Sequence, residues 1–169
     1  PLGCASECEL MDIRLEGDMP CEEILRRMRG VTVPGLEFTS CYPAKQKFAG
    51  IASADYTITL RLPGAGSVTE RELADFLAEK PIMTVKKTKS GEAEVDIAPL
   101  IRAASVSRGD GSLVIDARLA AGSTDNLSPE LLMSVILARF GVRARRSSEG
   151  ADYSIVRREI YDAEGKKFR

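Results

Sequence analysis

Histidine and tryptophan are both absent from this 169-residue chain. Without His, the commonest general base and the commonest metal ligand are missing, so acid–base chemistry would fall to carboxylates, Lys, Tyr or Cys. No apolar run approaches the roughly 18 residues that span a bilayer, and no signal-peptide pattern is present; a cytoplasmic protein without membrane contact is the expectation. Charge of one sign is also lacking. The formal net charge is -1, which predicts no general attraction to nucleic acid, so any such role must come from a local patch. Walker loops, dinucleotide fingerprints, serine-nucleophile signatures and carboxylate-rich metal loops do not occur.

What is present suffices for one or two domains. Hydrophobic residues make up 44% of the chain and charged residues 29%, enough for a core and an ordinary wet surface. The stretch from Ile82 to Leu119 reads as four strands in two hairpins, turning at Lys89-Ser90-Gly91 and at Arg108-Gly109-Asp110-Gly111. Between them, Pro99 removes a ladder donor, which predicts a short turn or single helical turn tucking Leu100 and Ile101 under the sheet.

The rest of the chain alternates helical and strand patterns. Met11, Ile13 and Leu15 alternate with polar residues as in a half-buried strand over 9–15. Asp18 offers a cap for a helix starting near Pro20, with Cys21, Ile24, Leu25 and Met28 as its stripe and Gly30 as its stop. Glu22–Arg26 and Glu23–Arg27 are i,i+4 pairs on its wet face. Leu36 to Tyr42 reads as a second strand, and Lys45 to Ala54 as a weakly helical crossover. Tyr56, Ile58, Leu60 and Leu62 mark a clear strand. Thr69 to Glu72 is a capping box for a helix facing Leu73, Phe76 and Leu77 inward. Ser128-Pro129 caps a last helix with Leu132, Val135 and Ile136 inside and Gly141 at its end. Val142–Arg146 and Tyr153–Tyr161 are closing strands or a tail.

The fold expected is α+β, with mostly antiparallel sheets and helices on one face. Residues 55–147 give β-α-β-β-β-β-α-β, a ferredoxin-like unit with an extra β-hairpin. The division expected is 1–54 as a strand–helix–strand half-unit and 55–169 as the ferredoxin-like domain with a C-terminal tail. Strand edges left open by an incomplete first half can pair with a second copy, making a homodimer.

Two stretches carry a resemblance. A basic hairpin running into Glu94-Val95-Asp96-Ile97-x-Pro99-Leu100-Ile101, and the opening Pro1-Leu2-Gly3 turn that feeds an acidic segment through Ile13, resemble the radical SAM-linked protein family. That bacterial group is of unknown function, and its members are encoded beside, or fused to, cobalamin-binding radical SAM proteins. The resemblance covers most of residues 1–140. It implies an accessory or substrate-presenting role beside a radical SAM protein. It also implies that the chain is a C-terminal portion, because the family's preceding "SHLD"-like and Asn-Pro-His-Pro-like stretches are not in it.

Candidate sites are few. Cys4-x-x-x-Cys8 resembles the start of a radical SAM cluster motif, but the third position is Met11, and three thiolates are needed to hold such a cluster. Cys4, Cys8, Cys21 and Cys41 lack Cys-x-x-Cys knuckles, so reduced thiols are expected, with zinc or a disulfide as alternatives; no metal or cofactor is assigned. Lys86, Lys87 and Lys89 project a positive tip to which Arg102, Arg143, Arg145, Arg146, Arg157 and Arg158 add if they share its face. Such a patch would bind the phosphates of RNA, whereas solvated strand edges with Glu92 and Glu94 opposite the lysines explain the same pattern. Asp96 is the one catalytic candidate, a carboxylate where a strand meets a Pro-containing turn. An Asx-type turn is its simpler reading. The function expected is a non-catalytic accessory domain for a radical SAM partner; the alternative is an RNA-binding or RNA-modifying module.

Overall fold

The computed structural model describes residues 4–62, 68–88, 91–142 and 152–169, with only the backbone described at Lys87 and Thr88. These residues form two compact units. One takes them up to Cys8 and from Phe48 to Phe168, and the other is Glu9–Lys47 with Arg169. In chain order the elements are β1 (Ala5–Ser6), α1 (Cys21–Gly30), β2 (Ile51–Arg61), α2 (Glu70–Ala78), β3 (Met83–Thr88) and β4 (Gly91–Asp96). There follow β5 (Ile101–Gly109), β6 (Ser112–Ala120), α3 (Pro129–Arg139) and β7 (Asp152–Asp162).

The larger unit grows from period-two alternation. Ala54, Tyr56, Ile58 and Leu60 of β2 are buried, while Asp55, Thr57 and Thr59 lie on the other face. β6 answers with Leu113, Ile115, Ala117 and Leu119, paired antiparallel to β2 with Ile58 opposite Ile115. The five-stranded sheet has the order β1-β7-β2-β6-β5. Every pairing in it is antiparallel except the short β1–β7 pair. Without β1 and the β3–β4 pair, the elements run β-α-β-β-α-β with a split crossover, which is the ferredoxin-like arrangement. The expected α+β class and its extra hairpin are therefore what the chain forms.

The helices form where their ends are signalled. Thr69 Oγ1 accepts the Glu72 N–H at 3.2 Å and the Glu72 carboxylate accepts the Thr69 N–H at 2.8 Å, the reciprocal pair that starts α2. Leu73, Phe76 and Leu77 are buried from that helix. In α3, Leu132, Met133 and Ile136 are buried; Val135 is only half-buried, so Met133 takes the place expected for it. Gly141 ends the helix at φ 62°, a conformation that favours glycine. Asp18 and Ser128 do not cap through their side chains. Pro20 and Ser128 occupy the two N-cap positions, and neither helix start has a side-chain cap bond.

Both expected hairpins form, β3–β4 as a separate two-stranded sheet and β5–β6 as the edge of the large one. Gly111 turns the second at φ 66°. A 3₁₀ turn at Ala98–Leu100 joins them, but it buries Ile97 and Ala98 while Leu100 and Ile101 stay half-buried. Among the described residues the final strand of the ferredoxin-like unit is β7; the strand expected over Val142–Arg146 lies, beyond Val142, outside the described residues. The expected break between 54 and 55 falls inside β2.

The smaller unit corrects two expectations. Residues 9–15 and 36–42 form no strand. Met11, Ile13, Leu15 and Leu36 alternate as strand residues do, yet all are exposed. Alternation makes a strand only where a neighbour accepts and donates along the ladder, and among the described residues these segments have none. α1 forms as expected, with Glu23 taking both Arg26 and Arg27 at 2.7 and 2.6 Å. Those two guanidiniums hold its carboxyl down at about 2. Among the described residues no helix is long and apolar enough to cross a membrane.

Candidate functional site

The β3–β4 hairpin is exposed on both faces. Met83 and Val85 are 48% and 56% exposed, and Val95 is the one half-buried residue of β4. Register places Glu94 opposite Val85 and Glu92 opposite Lys87, so only Glu92 has a lysine across from it. Lys86 is exposed opposite Ala93. Lys89 and its turn, and Arg143, Arg145 and Arg146, lie outside the described residues, so the shared basic face drawn from them does too.

The remaining basic candidates are tied down separately. Arg102 donates to the Pro99 carbonyl at 3.1 Å and stands 3.8 Å from Asp125. Arg157 donates to Ser6 Oγ at 3.4 Å, and Arg158 pairs with Glu7 while donating to Thr57 Oγ1 at 3.1 Å. Arg157 and Arg158 thus fasten the short β1 segment to β7. Asp96 is exposed, and its Oδ1 accepts the N–H groups of Ile82 at 2.9 Å and Ala98 at 3.0 Å. Those bonds form an Asx-type turn and tie the start of the hairpin to its end.

Two clusters were not foreseen. On the open face of the sheet, Arg118 grips Asp55 through two bonds of 2.7 and 2.9 Å, and Tyr161 donates to the same carboxylate at 2.8 Å. The guanidinium also lies 3.9 Å from the centre of the Tyr161 ring. The Arg118 bonds hold the Asp55 carboxyl below its usual range, and burial together with the Asp55 bond pushes the Tyr161 phenol up. Lys167 meets Glu159 beside it at 2.9 Å. Every charge named in this cluster has an opposite partner, so the face is a cross-strand clamp on β6, β2 and β7. No sequence signal marks it, since Asp55 and Arg118 are 63 positions apart.

The second cluster lines a cavity of about 240 Å³ at the start of α3, bounded by Ala54, Tyr56, Leu127, Pro129, Arg157 and Ile160. Burial pushes the Tyr56 phenol up, against the pull of the Arg157 charge. Cys4 and Cys8 stand near enough to affect it. The cavity holds one guanidinium and a neutral phenol, without a carboxylate or amine base among its lining residues. Such a lining can bind a small molecule, but it supplies no base–nucleophile pair.

The cysteines fall into two pairs. Cys4 and Cys8 flank β1, whereas Cys21 opens α1 and Cys41 lies in the segment that follows it in the smaller unit, where burial and the Cys21 thiol push the Cys41 thiol up. All four are free and half-buried. Among the described residues no group of three or more His, Cys, Asp or Glu side chains is placed to hold a metal ion.

A ferredoxin-like α+β domain carrying a projecting hairpin is the class that this fold and these clusters define. The chain belongs to a family described as an uncharacterised protein conserved in bacteria, DUF2344, whose model matches residues 1–129. That match takes in both hairpins and stops at the first residue of α3. No curated protein and no solved structure matches the chain.

Proposed function

We propose that this domain is a non-catalytic accessory or substrate-presenting module that works with a cobalamin-binding radical SAM protein and docks through the β3–β4 hairpin. The partner comes from the resemblance carried by residues 1–13 and 82–101. The observation that supports docking is the hairpin itself. Two-stranded sheets are marginal in water, and this one keeps Met83 and Val85 exposed on one face. Side chains so placed suit a contact surface better than an independent fold.

Co-purification tests the reading. A tagged chain should bring down the radical SAM protein of its source bacterium at physiological salt. Met83→Glu with Val85→Glu should abolish that capture while leaving thermal unfolding unchanged, as exposed substitutions usually shift stability by no more than about 0.5 kcal/mol. Absence of any radical SAM protein from the eluate overturns the proposal.

A second reading, an RNA-binding or RNA-modifying module, draws support from Lys86, exposed on β3. It predicts bound RNA whose affinity falls steeply with salt and drops on Lys86→Glu. The internal pairing of Arg102, Arg157 and Arg158 favours the first reading.

A further inference from the structure

The register of β2 against β7 slips between Asp55 and Tyr56. Asp55 lies opposite Glu159 and Tyr56 opposite Arg157, which leaves Arg158 as the extra residue of a β-bulge. The slip changes which residues of β7 face the helices. Ile160 before the slip and Ile155 beyond it are both buried, opposite Ala54 and Ile58 of β2. Arg157 shares the parity of Ile155, so a guanidinium takes a place on the covered face. Arg158 instead reaches Thr57 on the open face, donating to its Oγ1 at 3.1 Å. Bulges that re-aim a side chain in this way are over-represented beside functional sites.

The re-aimed guanidinium lines the cavity of about 240 Å³ at the start of α3. Tyr56, only 5% exposed, lines it from β2, and Asn126 and Ser128 add an amide and a hydroxyl. Leu127 and Ile160 are part of its apolar wall. Arg157 also donates to the neutral Ser6 Oγ at 3.4 Å. Among the described residues that line the cavity, Arg157 has the one charged side chain, and no carboxylate there opposes an anion. Pockets for drug-sized ligands run to roughly 300–1,000 Å³, so this one suits a smaller molecule.

We infer that this cavity binds a small organic anion, an apolar body of single-ring size that carries a carboxylate or phosphate head. The head pairs with the Arg157 guanidinium, whose fork of donors matches either group. The Tyr56 hydroxyl donates to the same head, and the body lies against Leu127 and Ile160. The positive end of α3 adds to the attraction, since its N-cap residue Ser128 makes no side-chain cap bond. None of the hairpin residues 83–96 takes part, so the site works whether or not the hairpin docks a partner.

The test titrates the full chain with benzoate, phenyl phosphate, benzyl alcohol and benzylamine, following backbone amide resonances by NMR. Benzoate or phenyl phosphate should shift the amides of Ala54, Leu127 and Ile160 saturably, and the tighter binder identifies the head group. Benzyl alcohol and benzylamine, neutral and cationic on the same ring, should bind at least about tenfold more weakly. Arg157→Gln should weaken the anion by roughly tenfold or more, and Tyr56→Phe, which removes only the hydroxyl, should weaken it severalfold. Because Arg157 also holds Ser6, Tyr56→Phe decides the matter where Arg157→Gln does not fold. Absence of a saturable shift with either anion at millimolar concentration overturns the inference. So does equal affinity for benzyl alcohol, or anion affinity that Tyr56→Phe leaves unchanged.

Discussion

Asp55 shows how one residue can couple three strands. Its carboxylate accepts two bonds from Arg118 on β6 and one from Tyr161 on β7. Hydrogen bonds to a charged group contribute about 1.5–3 kcal/mol, and partial exposure argues for the lower end. Asp55→Asn should therefore lower stability by roughly 1–2 kcal/mol at pH 7, read from urea unfolding. The sign of the pH dependence follows from the folded-state pKa, which is lowered. The carboxylate's contribution is fully present above the unfolded value of about 3.9 and is lost as pH falls through the folded value. The gap between wild type and Asp55→Asn should accordingly close in strong acid; a gap that persists there would show that charge is not its source. Asp96 makes a different prediction. Asp96→Asn keeps an Oδ1 acceptor for the Ile82 and Ala98 amides and should unfold near wild type, while Asp96→Ala leaves both amides without it and should cost about 1–2 kcal/mol.

Among the elements, α2 depends most visibly on local chemistry. Thr69→Ala removes the hydroxyl that accepts the Glu72 amide and should cost about 1 kcal/mol, measured by chemical denaturation. Leu132→Ala in α3 removes a side chain with 0% exposure and should cost about 2–5 kcal/mol. Both helices were legible in the sequence because capping and an apolar stripe are written within one or two turns. The hairpins were legible for the same reason, as their turn residues sit between the strands they join. Residues 9–15 and 36–42 show the limit of that reasoning. They carry strand alternation, but a strand is completed by the backbone of a neighbour, and no short window reveals whether one arrives.

For the molecule as a whole, β7 matters more than its position near the end of the chain suggests. It lies between β2 and β1, pairing with β2 from Ile51 to Arg61, and it buries Ile155 and Ile160. Ending the chain at Pro129, where the family match stops, would strip β2 of one ladder and remove Leu132, Met133 and Ile136 from the core. That truncation should fail to unfold cooperatively and should aggregate, as monitored by far-UV circular dichroism and size-exclusion chromatography. A soluble, cooperative 1–129 fragment would mean that β7 is dispensable.

By itself, the amino-acid sequence determined the α+β class, both hairpins, the α2 capping box and the stripe of α1, since each is encoded by spacing over a few residues. Tertiary structure alone decided that Asp55 meets Arg118, that β7 enters the sheet and that two alternating segments remain outside it. Those outcomes rest on which distant backbones come within hydrogen-bonding reach, and that depends on closing long loops, not on the preferences of any single stretch.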